Sequence, residues 1–238
     1  MDIYENFCIN DILSIPWALT QQSKTLPKQD DKSKYYWLFF DSFIAIDEIK
    51  TLPVFNLLNK DDLLQLVKHV ASVNSVFIEA FYSYRCNQST IIFPDGFIPL
   101  KFHLEDHQTL AHNKMPNLLN LAFCRCIEHL KQIQLTKTEF VLVKALIYCY
   151  PGFTSIDESG SKKLFDESAK YANVLMKYLQ FEHGDMLGAK RYGEILGLIS
   201  LFFRSAQYRK ELYLMHRYQR SSKNNDEKIP CLIEEIME

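Results

Sequence analysis

The sequence predicts an all-α domain, a three-layer antiparallel helical sandwich with one small β-hairpin. Three observations carry this reading. The chain has only 7 glycines in 238 residues, and scarce glycine means few tight turns and so few short strands. The stretch from Leu63 to Tyr84 is apolar on nearly every side. Its helix therefore belongs inside the protein with helices on both faces, a middle layer between two outer ones. Only one segment has a good strand signal: Ile91, Ile92 and Phe93, then Pro94-Asp95-Gly96, then Phe97 and Ile98. Its glycine supplies the positive φ that a hairpin turn needs.

Taken in order, residues 5–19 form a short amphipathic segment, and residues 21–33, polar and interrupted by Pro27, read as a loop. Residues 34–51 form a helix with an aromatic stripe of Tyr35, Tyr36, Trp37, Phe39, Phe40 and Phe43, ended by Pro53. Asn59 caps the next helix, and Asp61 and Asp62 in its first turn favour the positive helix end. After the hairpin, helical patterns resume over 116–134. Thr136-Lys137-Thr138-Glu139 is a capping box before the apolar run Phe140–Tyr150, which Pro151-Gly152 stops. Residues 161–181 form an amphipathic helix, and a long helix follows over 189–220. Residues 221–228 are a polar linker, and residues 231–238 form a short closing helix. The total is about nine or ten helices without a repeat or a break in composition, so residues 1–238 read as one domain.

Composition narrows the function classes. A net charge of −2 gives no case for nucleic acid. None of the six cysteines forms a Cys-x-x-Cys pair, so zinc-finger spacing is absent and no direct DNA binding is expected. Scattered, mostly apolar-flanked thiols suggest a reducing compartment, with a single disulfide left open. The N-terminus lacks a secretory pattern, and Lys68, His69 and Glu79 break the apolar stretch, which argues against a membrane span. No Gly-x-Ser-x-Gly, glycine-rich phosphate loop or His-Glu-x-x-His is present, so no enzyme is expected.

His103, His107 and His112 have only Glu105 and Asp106 as acidic neighbours, and no metal is expected there. Cys124 and Cys126, two apart on a helix, point to different faces and do not chelate together. Arg204, Arg209, Lys210, Arg217, Arg220 and Lys223 read as a solvated helix face.

The segment "EIKTLPVFNLLNKDDLLQLVK", Glu48–Lys68, resembles the signature of nuclear receptor ligand-binding domains. Its landmarks are Lys50, Pro53, Phe55, Leu58, the pair Asp61 and Asp62, then Leu66, Val67 and Lys68. One position departs: Leu63 stands where the family usually has glutamine. Further stretches agree in order. Ile91–Leu100 resembles the family's small β-turn, and "LTKTEFVLVKALIYCYPG" (Leu135–Gly152) its eighth helix. "KRYGEILGLISLF" (Lys190–Phe202) resembles the start of its tenth, and "LIEEIM" (Leu232–Met237) its activation helix. The drift from consensus is most similar to the divergent nematode receptors related to hepatocyte nuclear factor 4.

The resemblance implies a non-enzymatic, ligand-controlled regulator of transcription, acting in the nucleus. It implies that Glu139 pairs with Arg191, that residues 231–238 are a movable activation helix, and that the helix over 190–218 supplies a homo- or heterodimer interface. Lys50 and Glu235 fall on the positions that clamp a co-activator's Leu-x-x-Leu-Leu helix, with Lys68 a second positive contact and Leu232, Ile233 and Ile236 as apolar partners. The implied ligand lining is Trp37, Leu38, Asp41, Asn74, Ile78, Tyr82, Arg85 and Ile92. Arg85 matches an arginine that holds a ligand carboxylate, which points to a small lipophilic acid such as a fatty acid. An internal salt bridge from Arg85 to Asp41 stays equally open, as does a pocket filled by its own aromatic side chains, leaving a ligand-independent module. No cofactor is implied.

Overall fold

The computed structural model describes residues 8–14, 36–106, 115–152, 155–221, 229 and 231–237. The helices among them are α1 Ile9–Ser14, α2 Tyr36–Ile49, α3 Val54–Leu57, α4 Lys60–Arg85, α5 Pro99–Asp106, α6 Met115–Phe123, α7 Arg125–Ile133, α8 Lys137–Tyr148, α9 Glu158–His183, α10 Asp185–Ser221 and α11 Cys231–Met237. The all-helical reading thus holds among the described residues. The loop read over 21–33 and the linker over 222–228 lie outside them. The chain divides into two compact units, the first made of residues 1–75, 145–171 and 219–238, the second of residues 76–144 and 172–218.

In the first unit, α4 begins as its capping chemistry requires. Asn59 Oδ1 accepts the Asp62 N–H at 2.8 Å, and Asn59 Nδ2 donates to the Asp62 carboxylate at 2.7 Å. The buried Asp62 also accepts the Asp157 N–H at 3.1 Å, which fixes the approach to α9. A Cβ at Gly160 would stand 2.5 Å from that carboxylate, so a larger residue there would push Asp62 out of these bonds. Tyr148 at the end of α8 donates to Glu48 on α2 at 2.7 Å. The unit's core takes Phe43, Ile46 and Ile49 from α2, Leu66 and Val70 from α4, and Leu164 from α9. Buried polar residues on α4 turn to their own helix: Asn74 donates to the Val70 carbonyl and Ser75 to the Ala71 carbonyl.

In the second unit, Phe77 packs against Phe140 and Phe202 at ring distances of 4.7 and 4.6 Å, and Phe81 stacks on Phe140 at 4.1 Å. The capping box at α8 forms in both directions, Thr136 N–H to Glu139 at 2.8 Å and Glu139 N–H to Thr136 Oγ1 at 3.3 Å. The helical patterns over 116–134 form two helices, α6 and α7, which break at Cys124.

The hairpin is corrected. Its turn exists, with Gly96 at φ +86° and Phe93 N–H bonded to the Phe97 carbonyl at 2.9 Å. No strand flanks it, because the neighbouring donors go elsewhere. Ile91 N–H bonds to the Phe123 carbonyl at 3.0 Å and Ile92 N–H to Ser83 Oγ at 3.0 Å, which leaves no ladder to build.

Candidate functional site

The expected co-regulator residues all fall in the first unit. Helix α11 is short, and its apolar positions Leu232, Ile233, Ile236 and Met237 are all buried. Their spacing at i, i+1, i+4 and i+5 puts them on one face, and α11 packs on α2. Helix α1, from the short N-terminal amphipathic segment, packs on α2 as well. The half-buried Glu235 looks towards α1 and accepts the Ile9 N–H at 2.6 Å. Cys8, just before α1, forms a disulfide with Cys231, the first residue of α11, with Cα atoms 5.4 Å apart. The two sulfurs and a Glu235 carboxylate oxygen lie within 4.8 Å of one another, but the sulfurs are spent on each other and offer no metal a thiolate.

Lys50, just past the end of α2, forms an ion pair with Asp47 at 2.6 Å, and its side chain is only 10% exposed. The resemblance implied a Lys50 free to meet a co-regulator, for which solvent exposure is needed, and the structure corrects that exposure. Asp47, one turn earlier, draws the ammonium back along the helix. Lys68 sits half-buried on α4 in the same unit.

The expected ligand lining divides between the units. In the first, Trp37 and Leu38 are half-buried, while Asp41 and Asn74 are buried. In the second, Ile78 and Ile92 are half-buried, while Tyr82 and Arg85 are exposed. An anchor inside an apolar cavity would need burial, so Arg85 as placed does not meet that requirement. A guanidinium in water carries no burial cost and needs no ion partner.

Among the described residues the buried arginine is Arg209, which corrects its place on a solvated face. Its guanidinium pairs with Glu79 at 2.5 Å, donates to the Ala122 carbonyl at 3.3 Å and lies 5.1 Å from the centre of the Phe123 ring. The signal was present in Glu79, an acid inside the most apolar stretch of the chain. A buried carboxylate needs a cation, and one of the basic residues on the later helix had to supply it.

The implied pair of Glu139 and Arg191 forms in bidentate fashion, Nε and Nη2 each at 2.8 Å from the carboxylate. His103 stacks on Phe123 and meets the buried His216 at 2.7 Å, while His107 and His112 lie outside the described residues. Burial pushes the Cys126 thiol up to about 11 and the Cys149 thiol up to about 12. Both stay protonated and unreactive near neutral pH.

The chain matches the family model of the ligand-binding domain of nuclear hormone receptor over residues 20–218. That match excludes both α1 and α11. Curated relatives are nematode receptors. The nuclear hormone receptor family member nhr-167 of Caenorhabditis elegans is 28% identical over 205 residues, covering 84% of this chain and 58% of the relative. Member nhr-60 of the same worm is 25% identical over 215 residues, covering 90% of this chain and 45% of the relative. The chain thus spans about half the length of the curated relatives it matches. Among solved structures, the Ultraspiracle ligand binding domain from Drosophila melanogaster superposes with a TM-score of 0.61 at 14% identity, covering 89% of this chain and 91% of that one. At that identity the likeness is one of fold. The Glu139–Arg191 pair and a family match over most of the length converge on receptors rather than enzymes: this chain belongs to the family of nuclear hormone receptor ligand-binding domains.

Proposed function

We propose that the chain docks co-regulators under the control of a small lipophilic ligand, as part of a receptor that regulates transcription in the nucleus. One observation carries the docking part: Glu235 on the terminal helix already holds the first N–H of a short helix, at 2.6 Å. A co-regulator helix offers the same positive end, and a carboxylate is the group that suits it. Lys68, joined by Lys50 once it leaves Asp47, supplies positive charge for the opposite end of such a helix. The helix over 190–218 serves as the dimer face, with Leu214 and Tyr218 exposed on it. DNA contact is left to a part of the receptor other than this segment.

Fluorescence anisotropy with a labelled Leu-x-x-Leu-Leu peptide tests the docking. A charge at a partly buried helix end contributes up to about 2 kcal/mol, so Glu235→Ala weakens binding by a few-fold up to roughly thirtyfold. Removal of residues 231–238 abolishes most of it. Unchanged affinity after that deletion would make α11 a packed terminus and nothing more.

A second reading, a ligand-independent module of the same fold, is favoured by the exposure of Arg85. Native mass spectrometry of the purified chain separates the two by the presence or absence of a retained lipid.

A further inference from the structure

We propose that the co-regulator surface carries its own occupant: Ile9–Leu13 of α1, an Ile-x-x-Ile-Leu helix of this chain, sits where a co-regulator's leucine helix would dock and must leave before one binds. The inference rests on the docking function proposed above. Ile9, Ile12 and Leu13 stand at i, i+3 and i+4, the spacing at which leucine helices fill an apolar groove. Ile9 and Ile12 are wholly buried and Leu13 is half-buried, whereas Asn10 and Asp11 between them are exposed. Helix α1 and helix α11 pack on the same helix, α2.

Orientation agrees with spacing. Glu235 takes the N–H of Ile9, the first residue of α1, and so engages the positive end of the helix. That is the end a docked co-regulator would present, and the same carboxylate does not satisfy both. Asp11 Oδ2 accepts the Cys8 N–H at 3.0 Å and completes half of a capping box at this end.

A helix of 6 residues has too little intrinsic stability to persist alone. Burial of Ile9 and Ile12 in packing on α2 supplies part of what is missing, and the Cys8–Cys231 disulfide adds the rest wherever the surroundings are oxidising enough to keep it formed. It joins the residue before α1 to the first residue of α11 across 223 positions of sequence. Docking of α1 thereby becomes local, at an effective concentration that a free peptide must outcompete. Helix α1, like α11, lies outside residues 20–218, the part that matches the family model.

The test uses the full chain and a labelled Leu-x-x-Leu-Leu peptide in anisotropy, in four forms: oxidised, reduced with dithiothreitol, Ile12→Asp, and Asp11→Ala with reduction. Dithiothreitol gives two electrons and two protons, closes to its own cyclic disulfide and leaves Cys8 and Cys231 as thiols. If the surface is free in only a small fraction of oxidised molecules, apparent affinity is lowered by that fraction. Ile12→Asp then tightens binding by about tenfold or more, and reduction by several-fold. Asp11 is exposed, so the reduced Asp11→Ala form carries the test should Ile12→Asp not fold. A peptide of residues 5–19, added in trans to the opened chain, displaces the label. Equal affinity in the oxidised and opened forms, or no displacement by that peptide, overturns self-occupancy and leaves the docking function standing. Absence of binding in every form overturns the docking function, and self-occupancy with it.

Discussion

Arg191→Ala removes the group that ties α10 to α8 and to the end of α7. In the second unit, Arg191 donates twice to Glu139 at 2.8 Å, and its remaining N–H groups reach the carbonyls of Ile133 and Gln134. The Glu139 side chain is 1% exposed and that of Arg191 17%. The alanine variant leaves a buried carboxylate with the Thr136 N–H as its remaining strong donor, and it uncovers carbonyls at the end of α7. Removing one partner of a buried pair costs about 3–5 kcal/mol, and the partial exposure of Arg191 points to the lower end. For a chain of this size each kcal/mol moves Tm by about 2–4 °C, so the melt should fall by roughly 6–12 °C.

The pH dependence has a definite sign. Burial alone would raise the Glu139 carboxyl, but the Arg191 hydrogen bonds, the Thr136 N–H and the Arg191 charge together hold it below the ordinary carboxylate value. A carboxyl lowered by folding stabilises fully above its unfolded value, near about 4.3, and the gain is lost as pH falls through the folded value. Circular-dichroism melts at neutral pH and at pH values descending through about 4 measure both effects. A loss below about 1 kcal/mol in Arg191→Ala would refute the reasoning. So would an acid limb in that variant as steep as in the parent chain.

In Gly188→Ala, the new Cβ would lie 2.7 Å from the Gln180 backbone, so the variant loses about 1–3 kcal/mol in urea unfolding, opposite in sign to the usual gain of alanine over glycine in a helix. Arg209→Leu strands Glu79 in the core and costs about 3–5 kcal/mol, and adding Glu79→Leu recovers much of it, a double-mutant cycle read by urea titration. Arg85→Ala leaves stability within about 0.5 kcal/mol, since the residue is exposed. Any fatty acid that stabilises the fold in thermal-shift assays does so equally well in the Arg85→Ala variant, and loss of that stabilisation would restore Arg85 as the anchor.

Local rules made most of the helices legible. Asn59, the Thr136–Glu139 box and Pro151-Gly152 act within one helix turn, and each marks an end close to where the structure has one. The strands flanking Gly96 were misread because strand formation depends on partners distant in sequence. Phe123 and Ser83 took the donors that a ladder needed. Arg209 was misplaced for a related reason. A basic residue on a long helix reads as solvated unless its counter-charge is known, and Glu79 lies 130 positions away.

The co-regulator residues show a different limit. Spacing marked the apolar face of α11, and the resemblance implied the roles of Glu235 and Lys50. It did not identify what they hold. In the structure Glu235 binds Ile9 and Lys50 binds Asp47, both partners supplied by the chain itself. A surface satisfied from within is in equilibrium with an open form. A closed-to-open ratio of about 99:1 lowers the apparent affinity of any co-regulator roughly a hundredfold. A ligand that bound the open form about a hundredfold more tightly than the closed one would open about half of the molecules and bring that affinity back to within about twofold, without touching the groove. Ligand control would then require only a difference in affinity between the two states, and cleavage of the Cys8–Cys231 bond would shift the same equilibrium from the other side.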